Sequence, residues 1–206
     1  MTDLDQLIVP PTPVAGAALD VAREWSSPAM VNHCLRSWVW ASRLADHLSL
    51  HYDAELLYVS AMLHDLGVAS HFDALTIPFE VVGGALAWSF AAGAGWPADR
   101  RARVQAVIEA HAWAEVDPAS DTEGYLLEAA TSLDVAGSGF ERWNVDFLCE
   151  VTREVPRLNF SDEFGDSIRN QALRKPSSEA ARFQSANGVE RGRKVWQIIL
   201  FQGQEP

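Results

Sequence analysis

An apolar run, Ala61-Met62-Leu63, closes on His64-Asp65-Leu66-Gly67. An imidazole and a carboxylate stand side by side where the flanking residues are built for burial. Burying either group without a partner costs several kcal/mol, roughly 2–7 for a neutral polar group and more for a charge. A His-Asp pair is by itself a weak signal in a chain with six His. Its position gives it weight, because a helix that ends in His-Asp and then Gly presents both groups at the end of a buried element. Held together there, an imidazole nitrogen and a carboxylate oxygen form half of a site for a divalent cation.

Consecutive residues of a helix diverge by about 100°, so His64 and Asp65 can share one ion only at the helix edge between them. Neighbouring helices must complete the set. His33 and Asp134 are the candidates, and with His64 and Asp65 they could form an N2O2 set that suits Zn²⁺, Mn²⁺, Fe²⁺, Co²⁺ or Ni²⁺. A cation so held lowers the pKa of its water from near 16 toward about 7. Arg36 lies three residues after His33, on the same helix face, where it either binds an anion or pairs with a nearby acid. Glu80 is either a proton shuttle or a first-turn acid favoured by the helix dipole. His47, His51 and His71 fall near helix ends or loops and read as solvated.

The elements that must carry these groups read as helices. Pro10, Pro11 and Pro13 make residues 1–13 an extended segment, and residues 14–206 one helical domain. Val14 to Trp25 has helical spacing. Ser27-Pro28 caps a second helix reaching about Ser49, with Val31, Leu35, Trp38, Val39, Ser42 and Ala45 on one stripe. Asp53 caps a third, Ala54 to Leu66, and Gly67 reads as its left-handed cap. Pro78 opens a fourth with Phe79-Glu80-Val81-Val82-Gly83-Gly84, whose paired glycines each cost about 1 kcal/mol against Ala and so point to close helix contact. Pro97 opens a fifth, Ala98 to Trp113, with His111 near its end. Asp121 or Thr122 caps a sixth carrying Leu126, Leu127, Ala130, Leu133 and Asp134. Beyond it, 143–155, 162–174, 177–186 and 189–201 read as helices. No strand is evident, so the fold class is all-α.

Composition narrows the partners. The formal charge is −12, and only Lys175 and Lys194 are lysines among 16 basic residues, which disfavours a polyanion. A small-molecule substrate fits better than nucleic acid. Cys34 and Cys149 are too few for a disulfide framework. The N-terminus lacks a basic, apolar leader and no segment is long enough to span a membrane, so the expectation is a soluble, cytoplasmic protein. Self-association into a homo-oligomer is left open. Trp38, Trp40, Trp88, Trp96, Trp113 and Trp143 read as core or interface residues, with some walling a pocket.

With these residues in view the chain resembles a known family. Asn32-His33-Cys34-Leu35-Arg36, then Met62-Leu63-His64-Asp65-Leu66-Gly67, then Asp134 are similar to the H…HD…D signature of the HD-domain superfamily, over about residues 28–140. Residues 141–206 are then a helical C-terminal extension. The resemblance implies an all-α metal-dependent hydrolase with His33, His64, Asp65 and Asp134 as ligands. Asn-His-x-Leu-Arg, Leu-His-Asp-Leu-Gly and Phe-Glu-x-x-Gly-Gly look most like the cyanamide hydratase branch, which adds water to a small C≡N group. Phe79 stands where binuclear relatives carry a His, so the expected cofactor is one divalent transition metal, zinc first. His111 sits where many relatives place a further His, and is assigned to the catalytic pocket with Asp65 and Glu80. Arg36, Phe79, Glu80 and His111 are the expected substrate-binding residues. The expected activity is hydration of a small uncharged nitrile-like substrate. The alternative is an HD-type hydrolase of nucleotides or other phosphomonoesters, with Arg36 on the phosphate, and a non-catalytic helical module is the third reading.

Overall fold

The structure, a computed structural model, describes residues 7–203. Ten α-helices, short loops and no strand make up the described residues. They are α1 (Pro13–Trp25), α2 (Pro28–Leu48), α3 (Ala54–Leu63), α4 (Phe79–Gly93), α5 (Ala98–Ala110), α6 (Thr122–Ala136), α7 (Val145–Glu154), α8 (Phe160–Arg174), α9 (Glu179–Ser185) and α10 (Gly188–Gln202). Short 3-10 turns lie at Leu66–Val68 and Phe140–Arg142.

The starts follow the capping chemistry. Thr12, Ser27, Asp53 and Asp121 accept backbone N–H groups of the first turns of α1, α2, α3 and α6, satisfying donors that no helix satisfies internally. The extended segment expected over residues 1–13 lies partly outside the described residues. Within them residues 7 and 8 are helical, and Pro13 is the first residue of α1, where a missing N–H costs nothing.

The central helix is α2. Its Trp38, Val39, Trp40 and Ala41 are buried, along with Leu56 to Leu63 of α3 and Val104, Val107, Ile108, Leu126 and Leu127 of α5 and α6. A second apolar cluster joins Met30 of α2, Phe79 of α4, Val135 of α6, Phe160, Phe164 and Ile168 of α8, and Ala180 of α9. The C-terminal helices therefore pack onto the same centre as the first six. Trp196 of α10 fixes the far end, its indole N–H donating to Leu133 O at 3.2 Å.

The third helix ends earlier than its sequence suggests. α3 stops at Leu63, His64 is its C-cap, and Asp65 sits in the bridge region at φ −97°, ψ 7° before the 3-10 turn. Gly67 is not a left-handed cap: it lies inside that turn, and a Cβ there would meet Phe79 O at 2.0 Å. The two chain segments touch backbone to backbone. Gly83 repeats the device from the other side, since its Cβ would meet His64 O at 2.5 Å. The paired glycines of α4 thus serve close approach, with Gly84 set against Gln105 of α5. Gly83→Ala must push α4 off His64, so it is expected to destabilise the protein by about 1–3 kcal/mol in urea denaturation. A neutral effect would show that the α4 contact is slack.

Candidate metal centre and its cavity

His33 comes from the first half of α2, and the bend after α3 turns His64 and Asp65 toward it. His33 Nε2 lies 3.1 Å from His64 Nε2, and these nitrogens lie 3.4 and 3.3 Å from Asp65 Oδ2. All three side chains are buried. Ligand bonds of about 2.0–2.1 Å in tetrahedral geometry separate donor atoms by about 3.3–3.4 Å, so the triangle has the dimensions of one face of a zinc site.

The outer hydrogen bonds define which atoms are left for a cation. His64 Nδ1 donates to Ala61 O at 2.8 Å, and His33 Nδ1 donates to Asp134 Oδ2 at 2.7 Å. Each Nε2 then carries a lone pair, a tautomer assigned from these partners. His33 is further held by Phe160, stacked on its ring at 4.4 Å between centroids. Asp65 has two buried oxygens without a hydrogen-bond partner. Three electron-rich atoms facing one another, with an orphaned carboxylate among them, could hold a divalent cation.

Electrostatics agree. Burial opposes charge on all these groups, yet the His64 imidazole next to Asp65 holds that carboxyl well below the usual range, and Asp65 in turn raises His64. His33, where burial outweighs Asp134, is pushed down. The carboxylate thus draws positive charge into an otherwise dry place.

Asp134 is not in the triangle. The expectation of a fourth ligand meets a different arrangement, with the carboxylate on the far side of the His33 ring. Oδ1 accepts from Arg36 Nε and Arg157 Nη1, each at 2.8 Å, and Oδ2 accepts from Arg36 Nη2 at 2.7 Å as well as from His33. Burial would raise this carboxyl, but Arg36 and then Arg157 hold it well below its ordinary value. Two guanidiniums leave no oxygen to turn toward the cluster. Arg36 is likewise corrected: it is fully buried, bound to Asp134 and to Val155 O and Pro156 O, and does not line the cavity.

A cavity of about 380 Å³ opens from His33, His64 and Asp65 to the surface. Phe79 and His111 line it, whereas Glu80 does not. Adjacent positions at the start of α4 diverge, so the helix that turns Phe79 inward carries Glu80 elsewhere. Glu80 is buried with Oε2 unpartnered, and burial pushes its carboxyl up. His111 Nδ1 contacts Ile108 O, and Nε2 faces Asp65 Oδ1 at 3.9 Å. Burial and the nearby His64 lower its pKa to about 3, so it is neutral.

Several residues that matter here gave no clear signal in the sequence. Arg157 lies in a loop, where nothing local announces a buried ion pair. Phe164, Ile168 and Phe183, from the C-terminal extension, form much of the cavity wall. The Phe160 and Phe164 pair at helical spacing was the one available hint. Trp113 is the pocket-lining tryptophan, half exposed, whereas Trp38, Trp40 and Trp96 are core.

Residues 30–114 match the family model of the HD domain. That match, over an all-helical fold that sets His33 beside the His64-Asp65 pair, makes the chain similar to the HD-domain superfamily and supports an enzyme of the metal-dependent hydrolase and hydratase class. Within that class it is similar to the cyanamide hydratases DDI2 and DDI3 of Saccharomyces cerevisiae, each 28% identical over 159 residues, which is 75% of this chain and 70% of theirs. No helix of the described residues is long and apolar enough to cross a membrane.

The Asp134 clamp generates two expectations. Asp134→Ala strips two buried guanidiniums of their anion and is expected to cost about 3–5 kcal/mol in urea denaturation. Asp134→Asn keeps the shape but weakens the hold on His33, and in chelator competition it should lower divalent-metal affinity by about 10–100-fold. Complete loss of metal in Asp134→Asn would instead return Asp134 to the ligand set.

Proposed function

We propose that this protein hydrates a small, uncharged C≡N compound of the cyanamide type, using one divalent transition metal, zinc first, held by His33, His64 and Asp65. The observation that carries the reading is the cluster of buried donor atoms, including an orphaned carboxylate, at the inner end of a cavity walled by aromatic and aliphatic side chains. The similarity to two cyanamide hydratases supports the same chemistry.

When bound there, a divalent cation acidifies a water and polarises the substrate. The chain's own residues do the rest. Phe79 and Phe164 exclude bulk solvent, which strengthens every electrostatic contact inside. His111, neutral and with Nε2 facing the cavity, accepts a hydrogen bond from the nucleophilic water and aims its oxygen. Asp65 Oδ1, 3.9 Å from that nitrogen, takes the proton and returns it to the substrate nitrogen. The water oxygen bonds to the nitrile carbon, one carbon–nitrogen π bond opens, and the nitrogen gains the proton. From cyanamide the isourea so formed tautomerises to urea. Asp134 holds His33 in place and Phe79 positions the substrate, while Glu80 lies outside this chemistry.

The phosphohydrolase alternative needs cations aimed at the reacting phosphate. Arg36, its proposed anchor, is consumed by Asp134. Among the described residues the charged cavity-lining groups other than Asp65 are Glu128, Glu179, Arg182 and Arg191, two of each sign. An uncharged substrate is the better match.

Metal-loaded protein is expected to convert cyanamide to urea and to release no phosphate from nucleoside monophosphates. Asp65→Ala should lose both metal and turnover. Glu80→Gln should keep metal, fold and turnover. Urea formation and inorganic phosphate are followed in parallel with metal-stripped protein as control. Metal-dependent phosphate release without urea would overturn the reading, and loss of turnover in Glu80→Gln would restore Glu80 to the catalytic set.

A further inference from the structure

Cyanamide has three heavy atoms and fills about 50–60 Å³, on the scale where one water of the liquid takes about 30 Å³. The cavity holds about 380 Å³. Chemistry at His33, His64 and Asp65 therefore uses a small inner part, and the remainder has a wall of its own. Phe79, Val135, Phe164, Ile168, Ala180 and Phe183 supply it. Five of these, Phe79, Val135, Phe164, Ile168 and Ala180, are buried, so the wall is set by packing.

Polar side chains also line the cavity, and several of them have hydrogen bonds turned back on the protein. Thr131 Oγ1 donates to Glu128 O at 3.0 Å, and Ser132 Oγ donates to Glu128 Oε1 at 2.8 Å. Arg182 Nη2 donates to Ala112 O at 2.9 Å, while its Nε pairs with Glu179. A guest thus meets an apolar wall beside polar groups whose hydrogen bonds are in part already taken. The charges at the mouth cancel in sign, which selects neither an anion nor a cation. A cavity of about 150 Å³ suffices for benzene. The volume beyond the reacting group accepts a substituent of that size.

We propose that the substrate is a substituted cyanamide or nitrile, R–NH–C≡N or R–C≡N, whose uncharged apolar R group, about the size of a benzyl group, occupies the chamber walled by Phe164, Ile168 and Phe183. This rests on the hydratase reading and names the substrate class of the same site. The reaction is unchanged: water adds across C≡N, its oxygen to carbon and its hydrogens ending on nitrogen, giving R–NH–CO–NH₂ or R–CO–NH₂. Phe164, Ile168 and Phe183 become specificity-determining residues. Parent cyanamide is then a substrate that leaves most of the site unfilled.

The test uses the metal-loaded full chain with cyanamide and benzylcyanamide competing in one vessel, so that the ratio of products is independent of the active fraction. Benzylcyanamide is expected to have at least about tenfold higher kcat/KM, a floor set by the 10–200-fold that one methylene yields in an apolar pocket. Phe183→Ala should reduce that ratio by about tenfold, and Ile168→Ala, at an independent position in the wall, should also lower it. Equal or faster use of cyanamide would overturn the substituent proposal and leave the hydratase reading intact. Hydration of neither compound, with benzylurea still binding more tightly than urea by calorimetry, would overturn the hydratase reading and the substrate named with it, while keeping the chamber as an apolar binding site. An unchanged ratio in both variants would overturn the assignment of the wall.

Discussion

One buried carboxylate organises the centre of this protein. Asp134 receives Arg36, Arg157 and His33, which come from α2 and from the loop before α8. Charges as dry as these are tolerated only when each has a partner, because losing one strands the others at a cost of several kcal/mol. The loop's carbonyls, Val155 O and Pro156 O, also accept from Arg36 Nη1, and Arg157 Nη2 donates to Asp134 O at 2.9 Å. Helix α6, helix α2 and the entry to α8 are therefore locked by one set of polar bonds. His33 is fixed as a by-product, with its Nδ1 occupied and its Nε2 turned to the cluster.

The other half of the centre is set by backbone contact. His64 caps α3 with its N–H still bonded to Ser60 O, Asp65 leaves helical geometry just past it, and α4 presses on that bend through Gly67 and Gly83. Glycine is needed there because any Cβ would strike a carbonyl oxygen. A bend held this way brings two adjacent side chains to one side, which a continuing helix, with its 100° step, does not. The polar clamp supplies His33 and the glycine contact supplies His64 and Asp65. Both must hold for the donor atoms to lie 3.1–3.4 Å apart.

Much of this was legible before the structure. The caps at Ser27, Asp53 and Asp121 marked helices within a residue or so, and the all-α class followed from them. His33, His64 and Asp65 stood out as polar groups on apolar elements, and the structure brings them together. Asp134 also stood out, but as a ligand. An acid beside a metal and an acid behind a histidine look alike in sequence, and the bonds that Asp134 makes to Arg36, Arg157 and His33 are visible only in the fold. Gly67 was read as a helix terminator since that is the common local reason for glycine, whereas its reason here is a tertiary contact with Phe79. The walls from α8 and α9 were out of reach because their helical spacing showed a buried face without showing what it faces.

The charge arrangement has a consequence for selectivity. Asp134 takes up two guanidiniums, so the cations nearest the centre are already neutralised in part and are sealed from the cavity. Arg182 turns to Ala112 and Glu179, and Arg191 lies exposed at the mouth. An anionic substrate would pass Glu128 and Glu179 as well as Arg182 and Arg191, and at the inner end only a cation held by His33, His64 and Asp65 would meet it, with no arginine beside it. A neutral molecule surrenders little hydration and gains from the removal of apolar surface from water, at about 25 cal/mol per Å². The same clamp that orders the histidine also keeps Arg36 and Arg157 bound to Asp134 behind the wall, so neither reaches a guest in the cavity.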